Sequence, residues 1–490
     1  MTMAEKTSLM GQDWQGLLYS SGWRPGAGPL TVLEPATGQI LVSVGLAGAA
    51  QVAAAAERAA LAQPAWAALH PGARATILRR AADLLRQHQD EVAGWLVREG
   101  GSIQAKARLE PDHAVGFIEH AAAQALEPRG HVLPADPGTD SLAERVPLGV
   151  VGVISPFNFP LVLSLRAVAP ALAAGNAVLL KPDPRTPVSG GLIIAKLFEA
   201  AGLPPGLLHV LPGHAEAGEE LCTNPAIAMV SFTGSPRAGR RVGALCGENL
   251  KKVQLELGGK NPLIVLDDAD PDLAAANAAW GAWLHQGQIC MATGRILLQQ
   301  KIADAVTDRL VERAKRLPVG DPHLNPDVAL GPLITPQQVQ RLDTIVQDSV
   351  KAGARLLAGG RINERFYAPT VLADVRPGMP AFNEELFGPV AVITTFQDDT
   401  EAVRLANATA YGLAGAVIGT DLTRARAVAA QIRVGHLHVN DQTVLADPAA
   451  PFGGFGQSGN GGRISGPANW DEFSTWRWST VKTRPPAYPF

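Results

Sequence analysis

Two residues carry the chemistry that the spacing suggests first. Cys290 sits in Gln286-Gly287-Gln288-Ile289-Cys290-Met291, 34 residues after Glu256 in Leu255-Glu256-Leu257-Gly258-Gly259-Lys260. The cysteine offers a nucleophilic sulfur and the glutamate a carboxylate able to activate water. Acyl transfer through a thioester requires both. A lone cysteine is more often a small buried hydrophobe, and that is the reading for Cys222 and Cys246. Cys290 differs because Gly287, Ala292, Thr293 and Gly294 leave room for a substrate around the sulfur. Glu256 closes an apolar run, where a carboxylate is either a paired structural residue or a base whose pKa burial has raised.

Further candidates lie at turns. Asn158, in Ser155-Pro156-Phe157-Asn158-Phe159-Pro160, is either a helix N-cap or an amide donor for a developing oxyanion. Ser231-Phe232-Thr233-Gly234-Ser235-Pro236 reads as a strand end, a turn and a helix start, where free N–H groups attract phosphate. Lys181 follows the apolar run Ala177–Leu180 and is placed to reach a cofactor ribose rather than solvent. In Asn383-Glu384-Glu385-Leu386-Phe387-Gly388-Pro389, an extended backbone would put Glu385 and Phe387 on one side, as a ribose-binding carboxylate and a packing ring. A surface turn is the alternative. A G-x-G-x-x-G pattern at Gly454, Gly456 and Gly459 is discounted, because no parallel-sheet strand precedes it; a glycine-rich loop at a substrate mouth fits better. No zinc spacing, G-x-S-x-G elbow or Walker A sequence is present, so no metal is expected.

The elements that must position these residues follow from periodicity. Residues 47–124 have helical spacing, interrupted at Pro71 and Gly72. The short apolar runs Val150–Ile154, Ala177–Leu180, Leu207–Leu211, Met229–Phe232 and Val253–Leu257 alternate with helix-length segments, which predicts a doubly wound parallel sheet. Ligands on such a sheet bind beyond the strands' carboxyl ends, where most of the candidates fall. A second α/β region runs from Pro262 to about His438. Trp470, Phe473, Trp476 and Trp478 mark a tail with strand character, which suggests packing against another subunit.

The bulk composition narrows the function classes. The chain has 490 residues, 47% of them apolar, and a formal charge of −3. That is ample for two or three domains and gives no electrostatic reason to expect nucleic acid or an anionic membrane. Three cysteines cannot all pair within one chain, and a reducing cytoplasm is expected. Met1–Gln15 lacks a basic start followed by an apolar core, so no signal peptide is expected.

Together these residues resemble the aldehyde dehydrogenase superfamily over nearly the whole chain. The markers are Pro156-Phe157-Asn158-Phe159-Pro160, Lys181-Pro182, Phe232-Thr233-Gly234-Ser235, Glu256-Leu257-Gly258-Gly259-Lys260, Gly287-Gln288-Ile289-Cys290, Glu384-Glu385-Leu386-Phe387-Gly388-Pro389 and Pro451-Phe452-Gly453-Gly454. His285–Met291, Val439-Asn440-Asp441-Gln442-Thr443 and the Ala487–Phe490 end look like the bacterial benzaldehyde dehydrogenases. The resemblance implies an α/β fold: a Rossmann-type cofactor domain (1–124 and 147–258), a catalytic domain (259–465) and oligomerisation elements (125–146 and 466–490) forming a small sheet. It implies Cys290 as nucleophile, Glu256 as base for the hydrolytic water, and Asn158 with the Cys290 backbone N–H as oxyanion hole. Lys181, Gly234, Ser235, Leu257, Gly258, Glu385 and Phe387 would hold the nicotinamide cofactor.

Phe157, Phe159, Trp283, Leu284 and Phe452 would line an apolar mouth, since those motifs contain no Arg or Lys. The expected substrate is an aromatic aldehyde, with aliphatic aldehydes or semialdehydes as the alternative. Glu256 argues against an acyl-CoA product, and the intact catalytic set argues against a non-catalytic scaffold. NAD is the expected cofactor, with some NADP accepted. The acidic residue that often follows the strand-end lysine by three positions in NAD-preferring relatives is replaced by Pro184, beside Asp183 and Arg185. A homodimer or homotetramer is expected.

Overall fold

The computed structural model describes residues 8–11 and 13–490. The expectation for Met1–Gln15 therefore lies partly outside the described residues. Two seven-stranded sheets organise the chain. In the first, the order is Lys252–Glu256, Ile227–Thr233, Val150–Ile154, Ala177–Lys181, Leu208–Val210, Leu17–Ser20 and Trp23–Pro25. The first five strands are parallel. Both central strands, Val150–Ile154 and Ala177–Lys181, are buried along their whole length, as expected where helices cover both faces.

The sequence reading located these five strands but not the N-terminal hairpin. Leu17–Ser20 pairs antiparallel with Leu208–Val210 and closes that edge with Trp23–Pro25. Strand and edge partner lie almost two hundred residues apart, so no local signal connects them. Two strand ends also shift by one residue. Lys181 ends its strand rather than following it, and the strand Lys252–Glu256 stops one residue short of Leu257, so that Glu256 closes it as expected.

The second sheet has the order Arg355–Ala358, Thr370–Ala373, Val390–Phe396, Thr293–Gln299, Asn261–Val265, Ala414–Ile418 and His436–Val439, parallel except at its first edge. Alternate residues feed opposite cores. Leu263, Val265, Ile296 and Leu298 pack on one face, and Ile264, Leu266 and Leu297 on the other.

A third, antiparallel sheet joins Ser474–Lys482 to Thr139–Pro147 and Gly130–Val132, in register from Ser474↔Pro147 to Lys482↔Thr139. The tail corrects one expectation. Trp470 and Phe473 are buried on a short helix, Ala468–Phe473; only Trp476 and Trp478 lie on the strand, where both are exposed. Among the described residues, no helix is long and apolar enough to cross a membrane.

Candidate active site

The site forms where the carboxyl ends of the first sheet meet the segment before Thr293–Gln299. Glu256 ends its strand with its side chain buried. Its Oε1 accepts a hydrogen bond from Gln254 Nε2 (3.2 Å), and Gln254 Oε1 in turn accepts from Ser231 Oγ (2.7 Å). Glu256 Oε2 has no partner among the described residues. Burial pushes the carboxyl up to about 8, against the pull of Arg166 and Arg463. The glycine-rich loop docks here. Gly459 bridges Glu256, Leu257 N donates to Ser458 O (3.0 Å), and a Cβ on Gly453 would stand 2.8 Å from Glu256 Oε1.

Cys290 is partly exposed, whereas Cys222 and Cys246 are buried. The turn before it is strained. His285, Gln286 and Gly287 have φ of 49°, 56° and 67°, a left-handed run that costs non-glycine residues energy and needs outside support. Gln286 Nε2 donates to Gly101 O and Pro332 O (both 3.0 Å), and Gln288 Oε1 accepts from Ile334 N (3.0 Å). Beyond the sulfur, Asn261 Nδ2 donates to Cys290 O (2.9 Å) and Ala292 O (2.8 Å), while Thr443 Oγ1 donates to Met291 O (2.7 Å). Burial pushes the Cys290 thiol up to about 12; Arg166 opposes this, while Glu385 and Glu256 add to it. Cys290, Glu256, Glu385 and Arg166 therefore share one electrostatic neighbourhood.

Asn158 is buried in the turn before the helix Pro160–Ala173 but does not cap it. Phe159 occupies the cap position without a side-chain bond. The helix's first amides, Leu161 N and Val162 N, donate instead to Glu110 Oε1 (3.0 and 3.2 Å). The Asn158 amide is thus free of the capping duty left open by sequence.

Other candidates sit around the same strand ends. Lys181 is buried, with one long contact to Pro182 O (3.5 Å). Ser235 caps the helix Pro236–Glu248 by accepting from Ala238 N (3.3 Å), which leaves its hydroxyl hydrogen available. A Cβ on Gly234 would press on the Phe232 ring at 2.6 Å, and one on Gly258 would strike the Glu385 carboxylate. Glu385 Oε1 accepts from Gly259 N (3.0 Å). Phe387 meets Phe157 edge-on at 5.9 Å, but its φ is 52°, so its side is set by a left-handed residue and not by strand alternation.

The rings expected to line the mouth are packed against cations from elsewhere in the chain. Arg185 lies over Phe157 (4.2 Å), Lys106 over Phe159 (4.3 Å) and Arg166 over Phe452 (4.2 Å). Each aromatic face is covered by a residue outside its own motif, which motif composition cannot reveal. Lys106 pairs with Glu110, the residue that binds the helix start, and His285 meets Phe159 edge-on at 5.7 Å. Trp283 lies in the second sheet's core, whereas Leu284 and Phe452 join the core of the first unit. Sequence reasoning missed Arg166, Gln254, Asn261, Glu110 and Thr443; only their long-range contacts single them out. Arg185 donates twice to Asp183, from Nε (2.7 Å) and Nη2 (2.6 Å), so these two charges largely cancel beside Pro184.

Comparison with known proteins places this geometry. Residues 23–479 match the profile of the "Aldehyde dehydrogenase family". The chain is 48% identical to a vanillin dehydrogenase of Amycolatopsis sp., over 98% of this chain and 99% of that one. It is 47% identical to benzaldehyde dehydrogenase [NAD(+)] of Pseudomonas putida, over 97% and 98%. A crystal structure of a salicylaldehyde dehydrogenase from Pseudomonas putida G7, complexed with salicylaldehyde, superposes with a TM-score of 0.93 at 33% identity, covering 97% of this chain and 99% of that one. A part-exposed cysteine on a strained turn, beside a buried glutamate at a parallel strand's end, is thus a feature of a chain that belongs to the aldehyde dehydrogenase family.

Proposed function

We propose that this chain oxidises an aromatic aldehyde to its carboxylic acid through a thioester on Cys290, with NAD as the preferred cofactor and NADP accepted at a lower rate. The observation that carries this reading is the part-exposed Cys290 beside the strand end of buried Glu256, where a Cβ on Gly259 would strike Cys290 O. The names of the vanillin, benzaldehyde and salicylaldehyde relatives support the substrate class.

The roles follow from the surroundings. The Cys290 thiolate adds to the aldehyde carbon. Asn158, released from capping, and the Cys290 backbone N–H donate to the oxyanion, each such donor being worth about 3 kcal/mol. A nicotinamide dinucleotide, when bound, would supply the hydride acceptor. Lys181, Gly234, Ser235, Leu257, Gly258, Glu385 and Phe387 hold that cofactor. The fit is supported by the poorly satisfied buried Lys181 amine and by a Gly258 with no space for a Cβ against Glu385. Glu256, oriented by Gln254, then takes a proton from water as the water attacks the thioester, and the carboxylate departs. Phe157, Phe159, Leu284 and Phe452 flank the aldehyde's ring, with Trp283 behind them.

The same reading assigns residues 1–124 and 147–258 to cofactor binding, 259–465 to catalysis, and 125–146 with 466–490 to a homodimer or homotetramer interface in the cytoplasm. The exposure of Trp478 (70%) and Val481 (61%) on the tail strand supports the interface. NADH formation with benzaldehyde, vanillin, hexanal and succinate semialdehyde tests the substrate class. The aryl aldehydes are expected to have the highest kcat/KM; a higher value for succinate semialdehyde would overturn it.

A further inference from the structure

Among the described residues, Arg166 is a buried cation whose Nε has no hydrogen-bond partner. The other fully buried arginines, Arg74 and Arg295, donate several N–H groups to main-chain carbonyls, although Arg74 Nη2 has no partner among the described residues. Arg74 donates to Leu69 O (2.6 Å) and Ala173 O (3.1 Å); Arg295 donates to Lys260 O, Leu405 O and Ala406 O. Arg166 is 3% exposed. The helix Pro160–Ala173 holds it in place, and its guanidinium lies on the Phe452 ring at 4.2 Å. His436 also packs on Phe452, with ring centroids 4.3 Å apart, and accepts from Gly453 N through Nε2 (3.1 Å). Burial pushes the His436 ring down to about 4, so near neutrality it adds no second cation beside Arg166. A desolvated charge without a fixed partner is costly, and such a charge is retained where an anion forms.

Phe452, the ring under Arg166, leads into Gly453, where a Cβ would stand 2.8 Å from Glu256 Oε1, and Cys290 packs against the same apolar cluster as Phe452. The charges of Glu256 and Cys290 both act on Arg166. Of the charges acting on Cys290, Arg166 opposes the rise in its pKa while Glu385 and Glu256 add to it; on Glu256, Arg166 and Arg463 act together against Glu472. Arg166 is thus the cation common to nucleophile and base. We propose that Arg166 is a positioning residue for this reaction: its fixed charge, held over the Phe452 ring, favours the thiolate of Cys290 and the ionised form of Glu256. The S–H bond of Cys290 breaks with its proton leaving to solvent, and the sulfur anion gains the counter-charge that the two nearby carboxyl groups deny it.

This inference rests on Cys290 being the nucleophile, and the test separates the two. The thiolate's ultraviolet absorbance is titrated in the full-length enzyme, with the matching Cys290→Ala protein as baseline. Arg166→Met is expected to lower the thiolate fraction at a given pH by about tenfold, a midpoint shift of about one unit. Arg166→Lys, which keeps the charge, is expected to restore most of it. Should Arg166→Met fail to fold, Arg166→Gln takes its place. An unmoved midpoint in a folded, charge-free variant would overturn the inference while leaving the nucleophile assignment intact; an active Cys290→Ala enzyme would overturn both. A variant with the wild-type thiolate fraction but a raised KM only for anionic aldehydes would also overturn it, by making Arg166 a receptor for a substrate charge.

Discussion

Replacing Glu256 by Gln should make the enzyme more stable as it loses turnover. Wild-type Glu256 is 2% exposed and has one hydrogen bond, from Gln254 Nε2 at 3.2 Å. Burial raises its pKa from 4.5 to about 8. Between those values the folded state binds a proton that the unfolded state has lost, so stability falls as pH rises through this window. The accumulated cost at pH 7 is about 3 kcal/mol, and it levels off above about pH 8. Glutamine has no such equilibrium. Its amide hydrogens replace Oε2 and bring a new unsatisfied donor costing about 1–3 kcal/mol, so the absolute gain is small near neutrality.

The slope is free of that offset. The stability difference between Glu256→Gln and wild type should grow by about 2 kcal/mol between about pH 6 and about pH 8. Denaturant unfolding at matched protein concentration measures it, since assembly contributes to apparent stability. A difference that is flat across this range would show that Glu256 ionises normally in the fold and would refute the burial argument. In parallel, stopped-flow absorbance should show a burst of NADH near one equivalent per site, followed by very slow turnover. An unimpaired steady state would remove Glu256 from the role of base.

Cys290→Ala should abolish oxidation while leaving cofactor binding, followed by fluorescence titration, largely intact; Cys222→Ala and Cys246→Ala should stay active. Because Asp183 is committed to Arg185, neither a free repulsive charge nor a free attractive one faces a 2′-phosphate beside Pro184. Pro184→Glu should therefore widen the NAD over NADP ratio of kcat/KM, and an unchanged ratio would place the discrimination elsewhere. Trp478→Asp, on the exposed tail strand, should shift the assembly toward smaller species in light scattering; an unaltered mass would remove that face from the interface.

Most of the framework was legible in local sequence. The five apolar runs that became the parallel strands were readable because strands covered on both faces are apolar throughout. Their carboxyl ends then located Lys181, Ser235 and Glu256 without any knowledge of contacts. The tail was read less well. Trp470 and Phe473 are aromatic like Trp476 and Trp478, and composition does not say that the first pair lies on a helix and only the second on the strand. Phe387 likewise escaped the alternation rule, because one left-handed residue resets the direction of every side chain after it.

The sequence by itself determined which reactive groups exist, in what order, and at which ends of which strands they stand. Periodicity and turn chemistry act over a few residues, and these features are written at that range. Only the tertiary structure decided the electrical setting of the site. It set Arg166 on Phe452, Lys106 on Phe159 and Arg185 on Phe157, bound Glu110 to the start of the Asn158 helix, and anchored the strained His285–Gln286 turn to Gly101 and Pro332. Most of these partners lie tens to hundreds of residues apart in the chain. A charge's energy depends on the distance to other charges and on the water removed around it, and both are properties of the packed interior rather than of any segment.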